Sequence, residues 1–391
     1  MIALLFITIA VLVAWADFRA FIKIAPTKVW SRVVLALLFV ILNTLNVIPI
    51  LTNIIVEDNT QAVMDFSAWS LTIYTIATLT RLAFYAGFLL FRNTVRGVIV
   101  GITLGVLSLS ILCNSLFNTR KELNIRRVVI FNSNIPKIFS GFKIVLFSDL
   151  HIGSLLNAES EITSLVEAIN NQKADMVIFA GDMLHIRAEE LTESITSTLS
   201  TIKAHNGVYA VLGNHDTGVY IKDTIKSPKD INITHLASKY EQMGWRLLRD
   251  STIYVVKGDD SIAVTGVDFT DALLEYKHSF STPDNFEPEP IFAKVDKEMF
   301  NVAVSHLPQL WHPISEGKCA DLTLSGHIHA TQIATTILGK RISPAMLMYR
   351  EWSGLYNDGE NSLYITDGIG SVGFYLRIGA NPELTILTLN R

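Results

Sequence analysis

Four long apolar runs in the first third of the chain limit what this sequence can fold into. They cover residues 2–16, 33–56, 68–91 and 97–117, and the whole of 1–118 contains seven Lys and Arg, four Asp and Glu, and no histidine. About 20 helical residues cross a hydrocarbon core of roughly 30 Å. The last three runs reach that length, whereas the first would have to thin the bilayer or use its flanks. We therefore predict an all-α transmembrane bundle of about four helices over 1–118.

The first run also allows a second interpretation, a cleaved signal peptide. Ala14-Trp15-Ala16 resembles an A-x-A cleavage site. However, no Lys or Arg precedes the run, whereas Arg19 and Lys23 follow it. A signal peptide normally carries its positive charge before the apolar stretch, so we favour an uncleaved helix.

The loops between the runs predict the orientation in the membrane. Loop 17–32 carries four Lys and Arg, loop 92–96 carries two, and loop 56–67 carries none. The positive-inside rule then places both basic loops in the cytoplasm and everything after Phe117 outside. A basic cluster just after the fourth run, at 120–127, opposes this orientation. We predict a multi-pass protein of the cell membrane with its soluble part on the outer face.

Arg81 lies in the middle of the third run, where a charge is costly and usually has a partner. Asn43, Asn46 and Asn114 in the neighbouring runs are candidate partners. Arg81 either belongs to a lipid-headgroup or substrate site in the bundle, or it is a structural arginine that is hydrogen-bonded or reaches an interface. We favour the structural interpretation.

Residues 119–391 form the second predicted domain, and its composition is that of a soluble, mildly acidic protein. This part carries 25 Lys and Arg, 32 Asp and Glu, and all ten histidines. Its net negative charge offers no basic surface for nucleic acid. Short apolar runs of strand type alternate with helical stretches such as 161–170 and 191–203, which predicts an α/β fold with buried strands.

Ligand-type side chains follow the predicted strands. They are Asp149, His151, Asp182, Asn214, His306, His327 and His329. Sheets of this class place their active sites at the carboxyl ends of the strands. Oxygen and imidazole ligands without cysteine suit Mn, Fe, Zn or Mg. Asp182 could bridge two such ions, and a pair of this kind lowers the pKa of a bridging water and stabilises a displacement at phosphorus.

The chain resembles the calcineurin-like metallophosphoesterase superfamily over about residues 125–391. The motifs are D-L-H at 149–151, G-D at 181–182, G-N-H-D at 213–216, His306 and G-H-I-H at 326–329. The finer similarity, in S-D-L-H-I-G and S-G-H-I-H-x-x-Q, is to its membrane-anchored bacterial branch. The resemblance implies a four-layer αββα sandwich with a dinuclear site.

The same resemblance implies a role for each site residue. One divalent ion would be held by Asp149, His151, Asp182 and His329. The other would be held by Asp182, Asn214, His306 and His327, with Asp182 as the bridge. His215 would contact the phosphate and protonate the leaving oxygen as a general acid.

Two departures from the family pattern stand out. The related branch usually has Gly-Gly after H-x-H, where this chain has Ala330-Thr331. An acidic residue that orients the catalytic histidine often follows G-D, and here His185 stands in that region. We expect Asp216 to take the orienting role, or the role to be absent. His185 either touches substrate or is an exposed loop residue.

Together these features predict a membrane-anchored, metal-dependent phosphomonoesterase or phosphodiesterase. It would use a metal-bridging hydroxide on a phosphate ester that is membrane-associated or lipid-linked. One alternative is a pyrophosphatase of nucleotide-linked lipid precursors. Another is a non-enzymatic sensor, against which the complete ligand set argues. The apolar segment from Met346 to Tyr356 either dips into the bilayer interface or packs in the core.

Overall fold

The structure, a computed structural model, forms two compact units. It describes residues 8, 10–19, 28–34, 36–37, 40–41, 43–44, 60–91, 95–222, 228–278, 281–283 and 286–391. One unit is Met1–Asn118 with Gly373–Leu376, and the other is Thr119–Val372 with Arg377–Arg391. The first unit thus includes a short segment, Gly373–Leu376, that the division into 1–118 and 119–391 assigns to the second domain.

Two long apolar helices dominate the described part of the first unit. Helix α1 spans Gln61–Leu90 and helix α2 spans Val95–Phe117. Both suit a membrane crossing by length and composition, the second as Val95–Lys121. They correspond to the predicted runs 68–91 and 97–117. Residues 10–19 are helical, whereas most of the run 33–56 lies outside the described residues, so the four-helix bundle stays a prediction.

The ionic partner of Arg81 is Asp17, which is not one of the three predicted partners. Arg81 Nη1 lies 2.7 Å from Asp17 Oδ2, and Tyr85 donates to the other carboxylate oxygen at 2.6 Å. Asn43, one of the predicted partners, donates to the same carboxylate at 3.3 Å. Asn46 lies outside the described residues. A carboxylate, rather than an amide, is the partner that neutralises a guanidinium in an apolar setting.

The second unit contains two six-stranded sheets, each combining parallel and antiparallel pairs. The first sheet has the order β1-β14-β2-β3-β4-β5 and the second has the order β12-β13-β9-β8-β7-β6. The strands are β1 Asn124–Phe131, β2 Lys143–Phe147, β3 Met176–Phe179, β4 Val208–Ala210, β5 Arg246–Leu247, β6 Ser251–Lys257, β7 Asp260–Gly266, β8 Asn301–Val304, β9 Leu322–Ser325, β10 Thr335–Ile337, β11 Lys340–Ile342, β12 Gly354–Asp358, β13 Asn361–Ile365 and β14 Glu383–Asn390.

Helices connect the strands. They are α3 Ala158–Asn171, α4 Glu193–Leu199, α5 Pro228–Gln242, α6 Glu289–Phe292 and α7 Trp311–Glu316. The two predicted helical stretches correspond to α3 and to the shorter α4. Helix α4 begins after Thr192, whose hydroxyl accepts a hydrogen bond from the Ile195 amide at 3.3 Å. A side-chain acceptor at this position satisfies an amide that has no partner within the helix.

Both faces of the first sheet are buried, which explains its uninterrupted apolar strands. In β2, Ile144 and Leu146 belong to a core that includes residues of both sheets. The alternate residues, Val145 and Phe147, belong to a core that includes α3, α4 and α5. Successive side chains of a strand point to opposite faces. The sheets therefore pack on each other and helices cover the first sheet, whereas the count of four layers stays a prediction.

The strand directions determine where the functional loops gather. Strands β2 to β5 are parallel neighbours in the first sheet, and β7, β8 and β9 are parallel neighbours in the second. The carboxyl ends of parallel neighbours meet at one edge of a sheet. The loops that carry the candidate ligands begin at these ends.

Candidate active site

A first group of candidate ligands consists of Asp149, His151 and His329. One ligand atom from each lies within 4.8 Å of the others. His329 Nε2 is 3.2 Å from Asp149 Oδ1, and the Nε2 atoms of His151 and His329 are 3.1 Å apart. All three side chains are buried. These residues come from the loops after β2 and β9, so the group joins the two sheets.

A second group consists of Asp182, His306 and His327, again with one ligand atom each within 4.8 Å. His306 Nε2 lies 3.1 Å from Asp182 Oδ2, and the imidazole rings of His306 and His327 are 5.1 Å apart. The loops after β3, β8 and β9 supply these residues.

Asp182 faces both groups. Its Oδ2 atom lies 3.6 Å from His151 Nε2 in the first group and 3.1 Å from His306 Nε2 in the second. Its Oδ1 atom accepts a hydrogen bond from the His215 amide at 2.8 Å. A carboxylate between two sets of imidazoles has the position expected of a bridging ligand.

Backbone carbonyls orient the imidazole rings. His151 Nδ1 donates to Leu184 O at 3.2 Å and His306 Nδ1 donates to Ala180 O at 2.8 Å. Both bonds leave Nε2 as the nitrogen available to a cation. His327 is the reverse case, because its Nε2 donates to Lys277 O at 2.5 Å and Nδ1 stays available. Such bonds on the far nitrogen are characteristic of metal-binding histidines.

The backbone is in the left-handed region at five of these residues. The φ angles are 55° for Asp149, 42° for His151, 60° for Asp182, 77° for His327 and 54° for His329. This region is sparsely populated by residues other than glycine and costs energy. The surrounding structure therefore imposes these conformations.

The same conformation continues after His329 and accounts for the departure noted in the sequence. Ala330 and Thr331 have φ angles of 48° and 50°. Glycine adopts these angles without a steric penalty, which is a physical reason for Gly-Gly at this place in the related branch. This chain maintains the turn with side chains present, and Thr331 Oγ1 lies 3.1 Å from Ser343 Oγ.

The electrostatics of the cluster favour positive charge. Burial by itself lowers the pKa of His306, but the carboxylates of Asp182 and Asp149 raise that pKa to about 9. The pKa of Asp182 lies well below its ordinary value despite burial, because His306 and His215 stabilise the carboxylate. The pKa of His327 is lowered to about 3 by burial and by His306. Ionised carboxylates, together with imidazoles that a cation can bind in place of a proton, form a donor set for divalent cations.

Two buried polar atoms support the same conclusion. Asn214 Oδ1 and His306 Nε2 are among the buried side-chain atoms of the described residues that lack a hydrogen-bond partner, although His306 Nε2 faces Asp182 Oδ2 at 3.1 Å. Leaving such atoms without a partner costs free energy, and a bound cation would satisfy both. Asn214 lies beside the cluster, since its neighbour His215 bonds to Asp182. The residues present therefore fit divalent cations, whereas the number of two stays a prediction.

The structure corrects the prediction about what orients His215. Its Nδ1 atom donates to the carbonyl oxygen of His185 at 2.6 Å. Asp216, the expected partner, instead accepts from the amides of Asp182 and Gly213, both at 2.9 Å, so it fixes the two loops rather than the ring. A carbonyl can replace a carboxylate in this role because it also accepts from Nδ1.

His185 is not the exposed loop residue that was one of its two interpretations. Its ring lies 5.6 Å from the rings of both His151 and His215, and its Nδ1 atom is buried. Burial, followed by the neighbouring His215, lowers the pKa of His185 to about 3. A neutral imidazole therefore borders the cluster, and contact with substrate stays its predicted role.

Tyr220 and Lys277 border the site and were not singled out in the sequence, whereas Tyr349, which also borders the site, was noted only as part of the apolar segment from Met346 to Tyr356. The Tyr220 ring is 4.4 Å from the ring of His215, and its hydroxyl accepts from Lys277 Nζ at 2.7 Å. Tyr349 donates to Lys277 O at 2.7 Å. A single tyrosine or lysine in a loop without a recognisable motif does not indicate an active site from the sequence alone.

Comparisons with known proteins agree with a site that binds divalent cations and acts on phosphate esters. Residues 142–331 match the family model for calcineurin-like phosphoesterase. An uncharacterized metallophosphoesterase of Bacillus subtilis, YkuE, is 28% identical over 261 residues, which cover 66% of this chain and 82% of that protein. A transmembrane protein with metallophosphoesterase domain from Danio rerio is 27% identical over 308 residues, which cover 77% of this chain and 63% of that protein.

A third relative has a named activity. The UDP-2,3-diacylglucosamine pyrophosphatase LpxG of Chlamydia trachomatis is 24% identical over 304 residues, which cover 68% of this chain and 90% of that protein. Taken with the matched domain and the other metallophosphoesterases, the similarity identifies the class of reaction. Residues 142–331 of the chain form a calcineurin-like phosphoesterase domain, which is a domain of hydrolases that act on phosphoric ester bonds.

Proposed function

We propose that the chain is a membrane-associated phosphohydrolase that uses two divalent cations. The observation that carries this proposal is the position of Asp182, with one carboxylate oxygen 3.6 Å from His151 Nε2 and 3.1 Å from His306 Nε2. A single carboxylate that faces two sets of imidazoles is suited to hold two ions side by side.

The proposal assigns the ligands to the two ions. Asp149, His151, Asp182 and His329 hold one, and Asp182, Asn214, His306 and His327 hold the other. When bound, the two ions polarise the phosphoryl group and make water a better nucleophile. Asn214 keeps the orientation of its amide through a hydrogen bond from Nδ2 to Tyr220 OH at 3.0 Å.

His215 is the proposed proton donor to the leaving oxygen. Its amide is fixed to Asp182 Oδ1 and its Nδ1 to the His185 carbonyl, so the orientation of the ring is set from two sides. Nε2 is then the nitrogen that exchanges a proton with substrate. Tyr220 packs against the ring and restricts its movement.

The proposed substrate is a phosphate ester attached to a lipid, as a monoester or a diester. Two helices suited to a membrane crossing belong to the same chain, and the relative from Danio rerio is itself named a transmembrane protein. A tethered enzyme meets lipid-borne substrates at high local concentration. We further propose a multi-pass arrangement with the catalytic domain on the outer face, on the basis of the loop charges.

The alternative substrate is a nucleotide-linked lipid diphosphate. Its support is the Chlamydia trachomatis pyrophosphatase, whose similarity to this chain covers 90% of that protein. This alternative requires the catalytic domain on the cytoplasmic side, where nucleotides are available. Orientation therefore separates the two substrate classes.

A substrate panel tests the proposal. The purified full chain, stripped of metal and then supplied with Mn²⁺, would be assayed in mixed micelles with a lipid phosphomonoester, a lipid phosphodiester and a nucleotide diphosphate-linked lipid. Bis-p-nitrophenyl phosphate serves as the soluble control. We expect Mn²⁺-dependent turnover of one of the first two lipids. Turnover of the soluble ester alone would contradict the lipid substrate, and turnover of the diphosphate alone would establish the alternative.

Labelling from one side of the membrane tests the orientation. A cysteine at Val256, which is 66% exposed on β6, would be introduced after Cys113 and Cys319 are replaced by alanine. We expect an impermeant maleimide to label this cysteine in intact cells. Labelling only after permeabilisation would contradict the outer-face placement and favour the nucleotide-linked substrate.

A further inference from the structure

A hairpin of β10 and β11, with the turn that follows it, exposes an unusual number of large apolar side chains. This apolar hairpin comprises residues 335–347. Leu338 is 99% exposed, Leu347 79%, Ile337 54% and Met346 47%. Strands β10 and β11 pair only with each other among the described strands. Large apolar side chains concentrated on one protrusion usually mark a surface that contacts another apolar phase.

The tip of the apolar hairpin is unfavourable in water for two separate reasons. Leu338 and Gly339 form its two-residue loop, with φ angles of 50° and 78°. Loops with positive φ at both positions favour Asn-Gly, because asparagine tolerates this conformation and is polar. Here a leucine occupies the strained position and also leaves its side chain in solvent. Neither folding nor solubility explains this choice, whereas contact with an apolar phase does.

The apolar hairpin begins beside the catalytic cluster. Ser343, which follows β11, donates its hydroxyl to Ala330 O at 2.7 Å, and Ala330 directly follows the candidate ligand His329. Ala345 is fully buried, and its amide donates to Ser343 Oγ at 3.0 Å. The base of the hairpin is thus fixed to the segment that carries a candidate ligand, and whatever binds the tip lies near the active site.

The charges around the apolar hairpin fit a bilayer surface. Lys340 is exposed at the start of β11, and the exposed side chain of Arg350, shortly after the turn, lies 3.3 Å from the carboxylate of Glu351. Apolar tips flanked by basic residues insert among lipid headgroups and attract anionic lipids. The second unit begins at Thr119, directly after a helix that suits a membrane crossing. A bilayer is therefore within reach of this domain at all times.

We propose that residues 335–347 insert into the interface of the bilayer beside the active site. A phosphate attached to a lipid then reaches the catalytic cluster without leaving the membrane. The access of a lipid-borne phosphate to the site rests on the proposed function, whereas the insertion of the hairpin does not depend on which substrate is cleaved. The apolar segment from Met346 to Tyr356 thus has two parts. Met346 and Leu347 face out, whereas Tyr349 and Trp352 are 5% and 8% exposed and pack in the core.

Spin labels test the insertion directly. In full chains that lack Cys113 and Cys319, a nitroxide would be placed at Leu338, at Leu347 or, as the matched control, at Val256, which is 66% exposed on β6. The chains would be reconstituted in nanodiscs of equal parts phosphatidylcholine and phosphatidylglycerol. We expect labels at 338 and 347 to collide more with oxygen than with a soluble nickel chelate, and the label at 256 to do the reverse.

Two results would overturn the insertion. One is a label at 338 as accessible to nickel as the label at 256. The other is close dipolar coupling between labels at 338 in singly labelled chains, which would identify a second copy of the chain as the occupant of the tip. This measurement does not depend on turnover, so it stands even if the lipid substrate is wrong.

A pair of glutamate substitutions tests the functional consequence. We expect Leu338→Glu to lower turnover of a lipid-borne phosphate in vesicles about tenfold, because a carboxylate is disfavoured among anionic headgroups. Turnover of p-nitrophenyl phosphate should be unchanged, and Val256→Glu should change neither. Equal losses on both substrates would reveal a structural role and refute the proposal. If the unmodified chain cleaves only the soluble ester, the lipid substrate fails while the spin labels still decide the insertion.

Discussion

Glu190 accepts hydrogen bonds from four backbone amides, those of Gly153, His185, Ile186 and Arg187, at distances between 2.5 and 3.1 Å. One carboxylate thereby fixes the loop whose His185 carbonyl orients His215, the proposed general acid. Glu190 does not touch the reacting atoms, so it is a positioning residue.

We expect Glu190→Gln to lower kcat roughly tenfold to a hundredfold, because the amide presents a donor to backbone groups that are donors themselves. Steady-state kinetics on bis-p-nitrophenyl phosphate would measure the change, with KM and metal content nearly unaffected. Glu189→Gln is the matched control, since that neighbouring side chain is exposed. Equal effects of the two substitutions would contradict the positioning role.

Glu383 predicts a pH dependence of stability that is separate from catalysis. Burial, followed by the nearby carboxylate of Asp367, raises the pKa of Glu383 from 4.5 to about 7, although Arg126 opposes the shift. The folded state therefore binds more protons than the unfolded state between these two values. The stabilisation that Glu383 adds to the free energy of unfolding is fully present below pH 4.5. It falls by roughly 3 kcal/mol as the pH rises to 7 and is constant at higher pH.

Glu383→Gln should remove this dependence, because glutamine keeps the oxygen that accepts from Tyr364 at 2.7 Å. Thermal midpoints of both proteins at pH 5 and pH 8 would measure it. We expect the variant to gain stability relative to the original chain as the pH rises. A difference between the two midpoints that stays constant with pH would show that Glu383 does not titrate in this range.

Among single residues, the sequence identifies those that belong to a local motif and misses those that lie outside any motif. Asp149 and His151 stand out because they follow a buried strand in a D-x-H motif, and the structure brings both to the cluster. Asp17 does not stand out because its partner Arg81 is distant in the chain. Tyr220 and Glu190 have partners nearby in the chain, but no motif in their loops distinguishes them. Only the folded backbone reveals that the His185 carbonyl replaces the expected carboxylate of Asp216.

At the scale of elements, α1 and α2 pack through glycines. A Cβ atom added at Gly101 would lie 2.7 Å from Phe84 O, and one added at Gly87 would lie 2.8 Å from Gly101 Cα. At Gly105 the nearest heavy atom would be 3.6 Å away, an ordinary contact. Small residues let membrane helices approach closely, and Gly97, Gly101 and Gly105 form such a stripe on α2.

We expect Gly101→Val to lower the free energy of unfolding by about 1–3 kcal/mol, because the added side chain overlaps the backbone of α1. Gly105→Ala should have little effect. The thermal midpoint of the full chain in detergent, followed by tryptophan fluorescence, would compare the two. A Gly101→Val protein as stable as the Gly105→Ala protein would contradict this close packing.

The elements also show where sequence patterns suffice. Continuous apolar runs predict strands that the structure buries on both faces, as in β2 with Ile144 and Val145 on opposite sides. The hairpin of β10 and β11 was not predicted, because its turn has Leu338 where asparagine is usual before the glycine. Whether this hairpin is exposed depends on how the rest of the molecule packs, and a local sequence pattern does not contain that information.

At the scale of the whole molecule, the composition of the sequence separates an apolar part, which suits membrane association, from the part that carries the candidate active site. The charges and histidines concentrate after residue 118, and the compact units divide between Asn118 and Thr119. The inclusion of Gly373–Leu376 in the first unit has no counterpart in the composition. It depends on contacts such as the hydrogen bond from the Tyr375 amide to Thr72 Oγ1 at 2.9 Å.

We predict that Asp182 lies between two cations and that both are needed for hydrolysis. The most direct test counts metal and turnover together in the full chain with Mn²⁺, for Asp182→Asn and for the exposed control Asp358→Asn. We predict two cations per chain in the control. The Asp182→Asn protein should retain at most one and lose turnover of bis-p-nitrophenyl phosphate at least about a hundredfold. An Asp182→Asn protein that keeps both cations and full turnover would contradict the account.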